Sequence, residues 1–196
     1  MRRRGFNPAH ITQIDTPPHA KYDDVFEIIF ARCGLGYGSI FALAGKRGTG
    51  KTQLATNIAG ALLLPNPRDA SRRDELTWPL YTTAKAYFRE IKESWSPTED
   101  GRHHATESDV LERFTLPCLL VIDEAHVRSE SKWEDDQLAE LVDRRCYRGK
   151  DTLILSNLDR KTLSAALGPS IVSRIHERGS FVEFDWPSFR EVNGGR

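Results

Sequence analysis

The sequence predicts an α/β fold, a mostly parallel five-stranded sheet flanked by helices, and three observations carry that reading. Short continuous apolar runs at Ser39–Ala44, Leu119–Ile122 and Thr152–Leu155 have the composition of strands buried on both faces. Segments with apolar residues at helical intervals separate these runs, the alternation expected when helices cross between parallel strands. Between the first run and the helical stretch after it lies Gly45-Lys-Arg-Gly-Thr-Gly-Lys-Thr52. It fits G-x-x-x-x-G-K-[ST], in the strand–loop–helix setting that gives the pattern its meaning.

In chain order, Pro8, Pro17 and Pro18 without periodicity mark an irregular lead-in, and Val25, Ile28 and Ile29 give Tyr22–Arg32 helical spacing. The helix after the glycine-rich loop runs to about Leu64, where Pro65 and Pro67 stop it. Asn66–Thr77 is polar, charged and proline-flanked, an expected exposed loop. Leu80–Thr83 reads as a short strand, and Ala84, Phe88, Ile91 and Trp95 mark a helix over Ala84–Trp95. Ser96–Ala105 has the composition of a disordered segment and leads to a short helix at Glu107–Phe114. A helix over Trp133–Cys146 puts Leu138, Leu141 and Val142 on one side. Thr162–Ile175 is helical but interrupted by Gly168-Pro169, which predicts two short helices, and Ser180–Phe184 alternates as a last strand.

A length of 196 residues suits one domain with short tails, and 39% hydrophobic residues with nine Phe suffice for a core. A mean hydropathy of −0.50 indicates a well-solvated surface. Lys plus Arg equal Asp plus Glu at 28 each, so any nucleic-acid site must be a local patch; Met1–Arg4, Arg72-Arg73 and Arg144-Arg145 are candidates. Cys33, Cys118 and Cys146 form neither a zinc pair nor an even disulfide set, which suits a cytoplasmic location, and Cys118 is expected to be buried. His103-His104 reads as part of a solvated loop. No signal peptide is expected, and the longest apolar stretch, Ala59–Leu64, is too short to span a bilayer, so no membrane partner is expected.

The chemistry concentrates at strand ends. Gly45, Gly48 and Gly50 allow the sharp bend that turns backbone N–H groups toward a polyphosphate, with Lys46, Arg47, Thr49 and Gln53 completing the nucleotide-binding set. The helix N-terminus adds its unsatisfied N–H groups and positive dipole end. Lys51 is expected to reach the β/γ-phosphates of ATP, and the Thr52 hydroxyl to ligate Mg²⁺. Asp123, at the carboxyl end of a buried strand, can hold Mg²⁺ through its water shell, and Glu124 can deprotonate the attacking water. Asn157 ends a third buried strand and can bond the water or the γ-phosphate; turn-forming Asn after a strand is also common. Arg174 offers a charge to a neighbouring subunit's γ-phosphate, although a helix arginine alone is more often an ion-pair partner. Asp123-Glu-Ala-His126 also spells a helicase box, but those enzymes need two ATPase domains, and His126 is read as the next loop residue.

The chain resembles the ATPase domain of DnaC-type helicase loaders and the related IstB-type transposition ATPases, within the AAA+ class of P-loop NTPases. The resemblance rests on GKRGTGKTQLA, YTTAKAYFREIKESW, LLVIDEAH, LVDRRCYRGKDTLILSNL and GPSIVSRIHERGSFVEFDWPSFR, and covers roughly residues 35–190. It implies Walker A, Walker B, sensor and arginine-finger roles for Lys51, Thr52, Asp123, Glu124, Asn157 and Arg174. Arg145 falls where the family carries an arginine of undefined role. It further implies that the helices between the Tyr81 and Leu120 strands help form a nucleic-acid-facing surface. The expected organisation is an N-terminal extension at 1–34, an AAA+ domain at 35–190 without a C-terminal lid, and a tail at 191–196. The expected function is ATP-dependent loading or remodelling of a replicative helicase on single-stranded DNA, in a homo-oligomer formed on ATP binding, with a phage or mobile element as the expected source. Hydrolysis to ADP and phosphate should be slow in the isolated chain. The alternatives are an IstB-like transposition helper binding duplex DNA, a P-loop small-molecule kinase, and a switch that holds ATP without turnover.

Overall fold

A computed structural model describes residues 20–63, 78–95, 105–127, 129 and 131–189. Met1–Arg4, the 66–77 loop with Arg72-Arg73, the 96–104 stretch with His103-His104, and the 191–196 tail lie outside the described residues. Five strands, β1 (Ile40–Gly45), β2 (Leu80–Thr83), β3 (Leu119–Asp123), β4 (Asp151–Ser156) and β5 (Gly179–Phe184), pair in parallel in the order β2-β3-β4-β1-β5. Their register sets Ala44 opposite Ser156 and Thr83 opposite Asp123, so the carboxyl ends of β1, β3 and β4 come level along one edge. The motifs far apart in sequence meet there.

Among the described residues six helices cover the sheet: α1 (Ala20–Phe30), α2 (Lys51–Leu63), α3 (Ala84–Ser94), α4 (Glu107–Thr115), α5 (Lys132–Tyr147) and α6 (Arg160–Arg178). Strand side chains alternate between faces, and two buried layers follow from that period. Ile40, Ala42, Leu120, Ile122 and Ile154 pack against residues of α3 to α6, such as Ile91, Phe114, Leu138 and Ile175. Phe41, Leu43, Val121, Leu153 and Leu155 pack against α1 and α2 through Tyr22, Ile29, Leu54 and Ile58. Each such aliphatic side chain contributes roughly 1.5–3 kcal/mol by leaving water.

Local chemistry starts the helices where the sequence places polar caps. Thr83 Oγ1 accepts from Ala86 N, Thr106 and Asp109 form a reciprocal capping box, and Asp159 accepts from Thr162 N. Gly168 (φ 77°) breaks α6 into two helical pieces, as its sequence predicts. Gly179 opens β5 where a Cβ would lie 1.7 Å from Ile40 O, so only glycine lets β5 close on β1.

Two expectations need correction. Arg144-Arg145 is not a surface patch: Arg144 pairs with Glu140, but Arg145 is fully buried. Arg145 donates to Phe114 O (2.8 Å), Thr115 O (3.0 Å), Pro117 O (3.1 Å), Thr152 Oγ1 (3.0 Å) and Asp151 O. Its planar fork stitches the approach to β3 to the start of β4. Cys118 is only half-buried, because it stands at the mouth of β3 and not within it.

Candidate functional site

The loop after β1 owes its shape to glycine. Gly45, Gly48 and Gly50 have φ of 142°, 80° and 92°, a region other residues enter at a cost. At Gly45 a Cβ would also lie 2.5 Å from Phe184 O. Lys51 opens α2 and folds back under the loop, donating to Gly45 O and Lys46 O at 2.7 Å each. Lys51 is 6% exposed, and burial lowers its pKa from 10.5 to about 8, opposed by nearby Asp123. Thr49 Oγ1 donates to Lys46 O at 2.9 Å. Lys46 and Arg47 have exposed side chains, and Gln53 donates to Asn57 along α2.

Asp123 ends β3 with both carboxylate oxygens engaged. Oδ2 accepts from Thr52 Oγ1 (3.1 Å) and Tyr81 OH (2.7 Å), and Oδ1 accepts from Glu124 N (2.7 Å). Burial and the adjoining carboxylate push the Tyr81 phenol well above its ordinary pKa, so it stays a donor. Glu124 follows with φ of 51°, among the described residues the one non-glycine at positive φ. That left-handed backbone costs about 1–2 kcal/mol and turns the chain sharply at the sheet edge.

Asn157 lies just past β4, half-buried, beside a cleft of about 810 Å³ that Gly45, Lys46, Arg47, Arg160 and Trp186 also line. Arg174 stands apart from this cluster. Its guanidinium donates to Asp143 on α5 (2.7 Å) and to Glu177 (2.9 Å).

The residues present fit a nucleoside triphosphate with Mg²⁺. The loop turns through Gly45, Gly48 and Gly50 at positive φ, a single ammonium sits under it, and Thr52 and Asp123 supply hard oxygen donors suited to that metal.

No protein-family model matches the chain. It is 31% identical over 156 residues to the replicative helicase loader DnaC of Buchnera aphidicola subsp. Acyrthosiphon pisum, covering 79% of this chain and 58% of that relative. It superposes on a crystal structure of the DnaC helicase loader with a TM-score of 0.63 at 19% identity, covering 85% of this chain and 92% of that one. This chain is DnaC-like in sequence and in fold. The same fold appears in the replication initiator DnaA bound to AMPPCP and single-stranded DNA, with a TM-score of 0.62 at 19% identity over 94% of this chain and 52% of that one. The chain thus spans less than two thirds of the DnaC relative's length.

In the DnaC-like domain the structure brings Gly45, Gly48, Gly50, Lys51, Thr52, Asp123, Glu124 and Asn157 to one edge and leaves Arg174 paired elsewhere. Sequence reasoning missed Tyr81, whose phenol reaches Asp123 from the neighbouring strand. A tyrosine two residues before the end of β2 was the available signal. His126 lies in the turn after β3, as read from the sequence, and its Nδ1 is 2.9 Å from Ser156 Oγ, which accepts from Leu158 N at 3.1 Å. This links the turn after Glu124 to the turn that carries Asn157. Among the described residues no helix is long and apolar enough to cross a membrane.

Proposed function

We propose that the chain binds ATP with Mg²⁺, hydrolyses it at an interface between copies in a homo-oligomer, and uses that cycle in DNA replication to load or remodel a replicative helicase on single-stranded DNA. The observation that carries the reading is the Thr52–Asp123 contact of 3.1 Å beside the buried Lys51, because it joins the two nucleotide motifs in one site. Residues 35–190 form the ATPase domain, 1–34 an N-terminal extension and 191–196 a tail, and the protein works in the cytoplasm.

Each residue then has a physical task. Lys51 exchanges Gly45 O and Lys46 O for β/γ-phosphate oxygens, a stronger match of opposite charges. Gly45 to Gly50 present N–H groups to the phosphates, and the first turn of α2 with Gln53 adds its dipole. Thr52 and Asp123 hold Mg²⁺, which supplies neutralisation of phosphate charge. Tyr81 and the Glu124 N–H keep the Asp123 carboxylate in a fixed orientation. Glu124, at a left-handed backbone position just past β3, accepts a proton from the attacking water. Asn157 orients that water or the γ-phosphate. Arg174 leaves Asp143 and Glu177 to meet the γ-phosphate bound by a neighbouring copy, which makes turnover depend on assembly.

Phosphate release measured against protein concentration tests this directly. The rate per chain should rise with concentration, and Glu124→Gln should lower it about 10²–10⁴-fold while ATP still binds. Arg174→Ala should lower it about 10³-fold only at concentrations where copies associate. A rate per chain independent of concentration and indifferent to Arg174→Ala would sink the shared site. Glu124→Gln, locked with ATP, should capture a replicative helicase and prefer single-stranded DNA; preference for duplex DNA would favour a transposition helper instead.

A further inference from the structure

The residues after β5 hold the phosphate-binding loop from its outer side. Phe184 is the last inward residue of β5, and Trp186, two residues on, continues on the same side by the period of an extended chain. Their rings lie 4.7 Å apart, and Trp186 is 5% exposed. The Trp186 indole Nε1 donates to Thr49 O at 2.9 Å, and Phe189 N donates to Gly48 O at 2.9 Å. Lys21 anchors the same segment by pairing with Asp185 at 3.2 Å.

We propose that Trp186 and Phe189 form a clasp that sets the orientation of the phosphate-binding loop, with Trp186 as a positioning residue for the triphosphate. In a trans peptide the C=O of one residue and the N–H of the next point in opposite directions. Holding Gly48 O and Thr49 O against the C-terminal segment therefore turns the Thr49 and Gly50 N–H groups away from it. Such help is needed because glycine leaves the planes around Gly48 and Gly50 free to rotate. Gly50 O is likewise held, by Leu54 N at 2.8 Å, whereas Gly45 O and Lys46 O are held by Lys51, which gives them up to phosphate. The clasp is the part of this arrangement that comes from beyond the end of β5, the edge strand beside β1. Any change in the loop on phosphate binding is felt by the Trp186 indole.

This inference rests on the ATP-binding reading above, and the experiment separates the two. ATP with Mg²⁺ is titrated into the unmutated protein and into Trp186→Phe, which keeps a ring but removes the N–H. The unmutated protein should bind with a change in tryptophan emission. Trp186→Phe should bind about three- to tenfold more weakly, the range expected for one lost hydrogen bond, and should lack that emission change. Equal affinity in the two proteins overturns the clasp and leaves ATP binding intact. Failure of the unmutated protein to bind ATP overturns the site reading itself and the clasp with it. Should Trp186→Phe not fold, the indole proton of Trp186 is followed by NMR in the unmutated protein. Protection from exchange and a shift on adding ATP support the clasp, and an indole proton that exchanges freely or stays put overturns it.

Discussion

Lys51 and Arg145 occupy opposite ends of the same sheet, and each is a buried cation held by backbone carbonyls. Lys51 sits at the carboxyl edge with two carbonyl partners on one short loop. Arg145 sits at the amino edge, where four carbonyls and the Thr152 hydroxyl, drawn from separate parts of the chain, meet its planar fork. The lysine is a compact charge with rotatable donors, so its partners can be exchanged for a ligand's oxygens. The arginine has no such freedom, because its donors are committed at once and its neighbours would be left unsatisfied. One edge is built for exchange and the other for permanence.

Breaking the permanent end should do most damage. Arg145→Ala strands several buried carbonyls and should cost about 3–5 kcal/mol, a drop in Tm of roughly 6–20 °C for a chain of this size, read by thermal unfolding without nucleotide. Arg145→Lys should recover little, since an ammonium cannot reach the same fork of acceptors. At the exchangeable end, Lys51→Ala should weaken ATP binding by about 100-fold or more, as befits loss of charge-assisted bonds, while the nucleotide-free Tm stays within a few degrees. Calorimetric titration and thermal unfolding on the same sample would show whether the two ends separate in this way.

A smaller effect sharpens the contrast, because backbone strain also belongs to the exchange edge. Glu124→Gly at φ 51° should relieve about 1 kcal/mol and raise Tm by roughly 2–4 °C while phosphate release collapses. A fall in Tm would show that Glu124 contributes contacts that outweigh its strain. The smallest effect concerns pH. Lys51 has a folded-state pKa lowered to about 8, below its ordinary 10.5. The unfolded chain therefore holds that proton more tightly, and nucleotide-free stability gains from Lys51 as pH rises from 8 to 10.5. Below pH 8 its buried charge is a full burden. The gap in Tm between Lys51→Met and the unmutated protein should be largest near pH 7 and close by pH 10; a gap independent of pH would overturn the assignment.

Much of the site was legible because its residues stand next to one another in the chain or at the ends of apolar runs. Gly45 to Thr52 is one contiguous stretch, and Asp123, Glu124 and Asn157 each follow a strand whose burial its composition announces. Tyr81, His126 and Trp186 were not legible as site residues. Tyr81 reaches Asp123 across a strand pair, His126 meets Ser156 across another, and Trp186 meets Thr49 from 137 residues away. The pair Arg144-Arg145 shows the same limit in a different form. Two identical neighbours part company because the α5 helix turns one outward to Glu140 and the other into the seam between β3 and β4.

Periodicity and turn chemistry settled the layered α/β plan, because alternation, helical spacing, glycine and proline act over a few residues and read the same in any context. Strand order and register were decided only when the sheet assembled, since those depend on which edges bury the most apolar surface together. From that assembly came the pairing of Thr52 with Asp123, the sealing of Arg145 and the grip of Trp186 on the glycine loop. A hydrogen bond between distant residues leaves no local trace in composition, so its existence rests on where the packed backbone carries its two ends.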